Sequence, residues 1–426
     1  MKDTMQDTAM RDLLETILRE NLAAIEEAKK SSVQRQCAFS SATNMIKVGI
    51  GMRRAGKTYI MYQTINALLN QGVLKEQILF LNFEDDRLLP MNVKEAGKLL
   101  DTFYNLYPEN HHRICYLFLD EIHNVTDWQL VVRRYFQTKN VQLYLTGSSA
   151  KLLSKEIHTS LRGRSLATEI WPYSFSEYLT AHHIKKPTKP LGQVGFDVLH
   201  KHLLNYFAIG GFPAVQAMPK SDWRMTLQSY VETTIMRDII ERYAISNIAL
   251  LKYLVTTLLK NAASIFSVNK FYNDAKSQGY KIGKDTIHNY LSYIEDAFLS
   301  FTVPIYSESE RAMHNQPKKI YAIDLGLINA VSASTNDLHG KLFENLIYLD
   351  LRRQNKKVYF YKTKSDFEID FITVDNEGHR ECLQVCWDDS DKAVIEREER
   401  ALLALKDELG IKGRIITPRE YCRDWV

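Results

Sequence analysis

The chain has 426 residues, 45% of them hydrophobic and 25% charged, which excludes a disordered or fibrous protein and fits a globular one of several domains. Its net charge of +4 permits a nucleic-acid partner without requiring one. Five scattered cysteines, with no histidine or second close pair to complete a zinc pattern, read as buried free thiols in a reducing cytosol.

Residues 9–30 carry Leu13, Leu14, Ile17, Leu18, Leu22 and Ile25 at helical spacing, which predicts an amphipathic helix. This charged start has no signal-peptide core, and no apolar run is long enough to span a bilayer, so a cytoplasmic protein without a membrane partner is expected. The polar stretch KKSSVQRQCAFSSATN follows, and the helix and linker together are assigned to 1–40. Between 41 and 182, apolar runs alternate with helical patterns. MIKVGI precedes a helix from Lys57 to about Asn70, QILFLNF precedes one at 92–107, and ICYLFLD precedes one at 127–137, with VQLYLTG after it. Continuously apolar strands separated by helices predict an α/β fold with a buried parallel sheet.

GMRRAGKT, residues 51–58, joins the first strand to the first helix of this series and matches the pattern G-x-x-x-x-G-K-[ST]. Gly51 and Gly56 let the backbone curl so that its N–H groups face phosphate oxygens, and the helix dipole adds to the anion site. Arg53, Arg54, Ala55 and Tyr59 complete the ATP-binding set. Lys57 brings a charge to the β and γ phosphates, and Thr58 offers its hydroxyl to Mg2+. The strand CYLFLD ends in two carboxylates. Asp120 is the second metal-binding candidate, and Glu121 is the candidate base for the attacking water. VQLYLTGSS ends in Thr146, Ser148 and Ser149, of which Ser148 is the candidate sensor of the γ phosphate. Arg162, Arg164, Arg53 and Arg54 are candidate transition-state arginines. Arg164 is preferred, as a finger for a neighbouring subunit of a homo-oligomer.

The motifs GMRRAGKT, FLDEIH, LTGSS, LRGRS, WPYSFSEYL and GGFP, in this order, resemble the AAA+-related P-loop ATPases of bacteria and archaea that carry a C-terminal nuclease-like domain of unknown function. The resemblance runs from about residue 40 to the end and implies ATP binding and hydrolysis, with ATP and Mg2+ as cofactors. It frames the rest of the chain as a helical lid at 183–247, a winged helix at 248–325 and a restriction-endonuclease-like domain at 326–426.

Within 248–325, predicted helices at 268–277 and 284–297 are followed by two strands. In a DNA-binding winged helix the second helix enters the major groove. Lys281, Lys284, His288 and Asn289 are then the groove-facing set, and Arg311, Lys318 and Lys319 belong to the wing. The last segment is similar to the PD-(D/E)xK nuclease fold. Glu344 and Asp370 match its first two acidic positions, but Gln384 and Cys386 stand where its Glu and Lys belong. Amide and thiol cannot replace carboxylate and ammonium there, so a scaffold without hydrolytic activity is expected, unless Lys362 or Lys364 is recruited. The leading functional expectation is an ATPase coupled to DNA binding or remodelling. The alternatives are an ATP-dependent switch acting on a protein partner, and an ATP-gated nuclease.

Overall fold

The computed structural model describes residues 2–147, 163–307, 309, 316–332, 338–388, 390 and 392–426, and of residues 2–7 and 220 only the backbone. Contacts divide the chain into two compact units, Met1–Ile170 and Trp171–Val426.

In the first unit, helix α1 (Lys2–Ser31) precedes β1 (Ile46–Ile50), α2 (Lys57–Asn70), β2 (Ile78–Asn82), α3 (Val93–Leu106), β3 (Cys115–Asp120), α4 (Trp128–Thr138), β4 (Val141–Gly147) and β5 (Ser165–Glu169). The five strands form one parallel sheet in the order β2-β3-β4-β1-β5. Burial at every position of β1 and β4 explains why these strands read as mainly apolar runs, and their buried polar residues Lys47 and Gln142 are hydrogen-bonded to each other. On one face Ile25, Met61, Ile65, Ile78, Phe80, Phe118 and Tyr144 form a core, with Phe118 and Tyr144 stacked at a centroid distance of 4.3 Å. The N-terminal helix is part of this packing. Its Ile25 is buried there, and Asn21 donates a hydrogen bond of 2.8 Å to the Phe80 carbonyl. Helix α3 begins where Asn92 accepts from the Lys94 and Glu95 amides while Glu95 returns to the Asn92 N–H, a reciprocal cap.

The second unit starts with helices α5 (Phe175–Ala181), α6 (Gln193–Ile209) and α7 (Lys220–Thr233). Next come α8 (Ile248–Lys260), β6 (Ser264–Phe266), α9 (Val268–Ser277), α10 (Lys284–Asp296), β7 (Ser300–Val303) and β8 (Lys318–Ala322), with an antiparallel sheet in the order β6-β8-β7. Helices α11 (Leu325–Val331) and α12 (His339–Arg353) lead into β9 (Lys357–Lys362), β10 (Glu368–Val374), β11 (Arg380–Val385), α13 (Lys392–Leu409), β12 (Gly413–Ile416) and α14 (Pro418–Asp424). Their sheet runs β9-β10-β11-β12. The first two pairings are antiparallel and the last is parallel. Among the described residues, no helix is long and apolar enough to cross a membrane.

Candidate active site in the first unit

Because all five strands are parallel, the residues that follow β1, β3 and β4 gather at one end of the sheet. Ile50 pairs with Gly147, and Asn82 with Asp120. Gly51 leaves β1 at φ 156°, and a Cβ there would lie 2.2 Å from the Ile170 carbonyl oxygen, so only glycine fits. Gly56 sits at φ 103° in the left-handed region and caps α2, and as a glycine it brings no side chain of its own to the first N–H groups. The loop therefore ends on the N-terminus of a fourteen-residue helix, an arrangement suited to an anion.

Lys57 is buried, its ammonium 3.3 Å from the Gly51 carbonyl, 3.4 Å from that of Met52 and 3.3 Å from Oε1 of Glu121. The Thr58 hydroxyl donates to Oδ2 of Asp120 at 2.6 Å. Asp120 is only 1% exposed, and burial, reinforced by the neighbouring Glu121 charge, pushes its pKa up to about 6 against the hydrogen bonds from Thr146 and Thr58. Thr146 locks the two acids together. Its hydroxyl donates to Oδ1 of Asp120 and accepts the Glu121 backbone N–H at 3.0 Å. Glu121 itself adopts φ 50° and ψ 41°, unusual for a side-chain-bearing residue, and its second carboxylate oxygen lies 3.3 Å from Nδ1 of His123.

The other ATP-site candidates spread around this centre. Arg53 pairs with Glu84 at 2.8 Å, Arg54 is exposed at φ 64°, Ala55 is buried, and Tyr59 is 48% exposed. Ser148, Ser149 and Arg162 lie outside the described residues. Arg164 is exposed and its carbonyl accepts from the Ile46 N–H, which places it beside the start of β1, at the opposite end of the sheet from Gly51. It is not brought to the loop of its own chain.

One residue here was hidden from sequence reasoning. Arg35, inside the polar stretch read as a linker, is 7% exposed and donates to the Ala55 carbonyl at 3.0 Å. The backbone N–H of Arg35 donates to Oε1 of Gln63 in α2, whose amide donates to the Val33 carbonyl at 2.7 Å. Local composition carried no signal for this, since the burial comes entirely from tertiary packing.

In the second unit, Lys281, Lys284, His288 and Asn289 are exposed, while Ile287, Tyr290, Leu291 and Ile294 bury the other side of α10. Lys318 is half-buried and Arg311 lies outside the described residues. Lys319, expected on the wing, is instead 1% exposed. Alternation along β8 turns it away from its neighbour Lys318, and its ammonium meets Glu344 at 2.9 Å, Glu368 at 2.7 Å and Asp370 at 3.0 Å. Burial works to lower its pKa, but the charges of Glu344, Asp370 and Glu368 overcome this and raise it well above that of an ordinary lysine. Burial likewise pushes Glu344 up to about 7 against the pull of Lys319. Gln384 accepts the Asp370 N–H at 3.2 Å and donates to Glu398 at 2.7 Å. The Cys386 thiol is turned to the Asp388 carbonyl at 3.2 Å. Lys362 pairs with Asp366 on the surface. Among the described residues, no group of three or more His, Cys, Asp and Glu side chains is arranged to hold a metal ion.

Residues 43–179 match the family described as "AAA domain", residues 200–338 a domain of unknown function (DUF8612), and residues 339–421 another (DUF4143). An uncharacterized protein of Haemophilus influenzae is 29% identical over 81% of this chain and 83% of its own length. Among solved structures, the Walker-type ATPase PABY2304 of Pyrococcus abyssi is similar over 67% of this chain and 90% of that one, at 12% identity and a TM-score of 0.41. The uncharacterized protein MJ1544 of Methanocaldococcus jannaschii is 33% identical over 94% of this chain and 88% of its own length. The chain belongs to the family of that archaeal protein, and its first unit carries an AAA-type P-loop ATPase domain.

Proposed function

We propose that the protein is a magnesium-dependent ATPase whose nucleotide state is coupled to DNA held by its second unit. The observation that carries this reading is the meeting of Lys57, Thr58, Asp120, Glu121 and Thr146 at one end of the parallel sheet. The N–H groups from Gly51 to Thr58 cradle the phosphates, and Lys57 leaves Glu121 for the β and γ phosphates. Thr58 and Asp120 offer hard oxygen donors that suit Mg2+, which when bound neutralises charge developing on the phosphates. Glu121 orients the attacking water and accepts its proton, while Thr146 holds Glu121 and Asp120 in register. The position of Arg164, away from its own loop, supports its use only towards a neighbouring copy, as an arginine finger in a homo-oligomer.

The succession α8-β6-α9-α10-β7-β8, with β8 central, supports the winged-helix reading of 248–325, and α10 offers Lys284, His288 and Asn289 to a groove, with Lys281 in the turn just before it. The succession α12-β9-β10-β11-α13-β12 supports the restriction-endonuclease-like reading of the last domain, and the amide of Gln384 and thiol of Cys386 support its lack of hydrolysis. ATP turnover with and without duplex and branched DNA, at two salt concentrations, tests the coupling. Stimulation that fades with salt is expected. Slow turnover indifferent to every DNA would assign the nucleotide to a switch acting on a protein partner instead.

A further inference from the structure

The acid cluster of the second unit has a cation of its own. Lys319 arrives from β8, Glu344 from α12, and Glu368 and Asp370 from successive same-side positions of β10. The Lys319 ammonium donates hydrogen bonds to Glu344 and Asp370 and forms an ion pair with Glu368, with all three carboxylates within 3.0 Å. Two of these carboxylates take a further donor. Oε1 of Glu344 accepts the Tyr321 hydroxyl at 2.7 Å as well as Lys319, and Oδ2 of Asp370 accepts the Val385 N–H at 2.9 Å. Glu344 and Asp370 are largely buried while Glu368 is 42% exposed, and carboxylates this close repel one another most strongly where water is excluded, so something positive must sit between them. In hydrolytic sites built from such carboxylates, that charge is a divalent metal ion.

We propose that Lys319 is the built-in cation of this cluster, occupying the place a divalent ion would need and joining β8, α12 and β10 without metal. An ammonium engaged by three carboxylates holds its proton, so it cannot activate water as a base. A metal ion entering here would have to displace it from the same oxygens. The inference rests on the reading of the last domain as a non-hydrolytic scaffold and supplies its physical reason. All four residues lie in the second unit, so metal binding here and ATP turnover are separable readouts.

The test uses the full-length, nucleotide-free protein and Mn2+ alone. Mn2+ binding is followed by electron paramagnetic resonance in the wild type, Asp370→Asn, Lys319→Met and the double variant, with thermal melting in EDTA and in Mn2+. The wild type and Asp370→Asn are expected to bind the same amount of Mn2+, and wild-type melting should not change between EDTA and Mn2+. Lys319→Met should melt about 10 °C lower in EDTA, because a buried ion cluster loses its cation. Mn2+ should recover most of that loss, and adding Asp370→Asn should abolish the recovery. Mn2+ binding by the wild type that disappears in Asp370→Asn would overturn the proposal. So would a Lys319→Met variant that melts like the wild type in EDTA. Should Lys319→Met fail to fold, the comparison of wild type with Asp370→Asn decides alone. Nicking of plasmid DNA that depends on Asp370 would overturn the scaffold reading, and it is scored separately from Mn2+ binding.

Discussion

The ammonium of Lys57 lies 3.3 Å from Oε1 of Glu121, so the cation of the phosphate loop and the carboxylate proposed as base neutralise each other. Under the proposed function, phosphate has to draw Lys57 away before Glu121 acts, so this contact would couple occupancy of the loop to readiness of the base.

Glu121→Gln removes the base and also releases Lys57. ATP affinity is expected to be retained or increased, while turnover falls by about 10²- to 10⁴-fold, the usual weight of general-base catalysis. Nucleotide titration followed by steady-state kinetics separates the two effects. Normal turnover in Glu121→Gln would move the base elsewhere.

Arg35→Ala should weaken ATP binding about tenfold with little change in the turnover of bound nucleotide. Arg35 touches the loop through the Ala55 carbonyl, and a hydrogen bond from a charged donor contributes about 1.5–3 kcal/mol. A rise in KM with steady kcat is the expected signature. An equal fall in kcat would mean that Arg35 acts on the reaction itself.

Asp324 gives the second unit a pH-dependent term. Its carboxylate accepts the Gly211 N–H at 2.6 Å and caps α11 through Leu327, yet burial pushes its pKa up to about 6. The folded protein therefore holds a proton below about pH 6 that the unfolded chain, with an ordinary carboxylate, holds only below about pH 4. That contribution is fully present below pH 4 and is lost as pH rises through 6, an effect on the order of 3 kcal/mol. Denaturant melts of the wild type and Asp324→Ala should show a stability gap that narrows between pH 4.5 and 7.5. A gap that widens would place the Asp324 pKa below the ordinary range.

Lys284→Glu on the exposed side of α10 should weaken duplex DNA binding and reduce the slope of log affinity against log salt by about 1 to 2, since a phosphate contact is lost and a repulsion added. Fluorescence anisotropy at four salt concentrations measures both. An unchanged slope would remove α10 from the DNA-binding surface.

Much of the first unit was legible because its signals are local. A buried parallel strand is mostly apolar, and the loop after β1 needs glycine at 51 and 56 for reasons of backbone geometry that spacing alone encodes. What stayed hidden depends on the partner across space. Arg35 sits in a polar stretch that composition reads as exposed, yet folding carries it beneath the loop. The pair Lys318–Lys319 reads as a basic wing until strand alternation is applied, which sends one lysine outward and the other into the carboxylates of Glu344, Glu368 and Asp370. That Tyr321, two residues on, donates to the same Glu344 follows from the same alternation. Glu368 escaped notice because the comparison with nuclease motifs drew attention only to Asp370.

Magnesium-dependent phosphate release from ATP by the purified wild type, with Lys57→Ala as the paired control, tests the site most directly. Hydrolysis by the wild type is expected, with loss of at least about 10²-fold in a Lys57→Ala protein whose melting is otherwise unchanged, because the buried ammonium is the loop's main charge toward the phosphates. Equal release by the two proteins, or none by the wild type with or without DNA, would contradict the assignment of these residues to ATP hydrolysis.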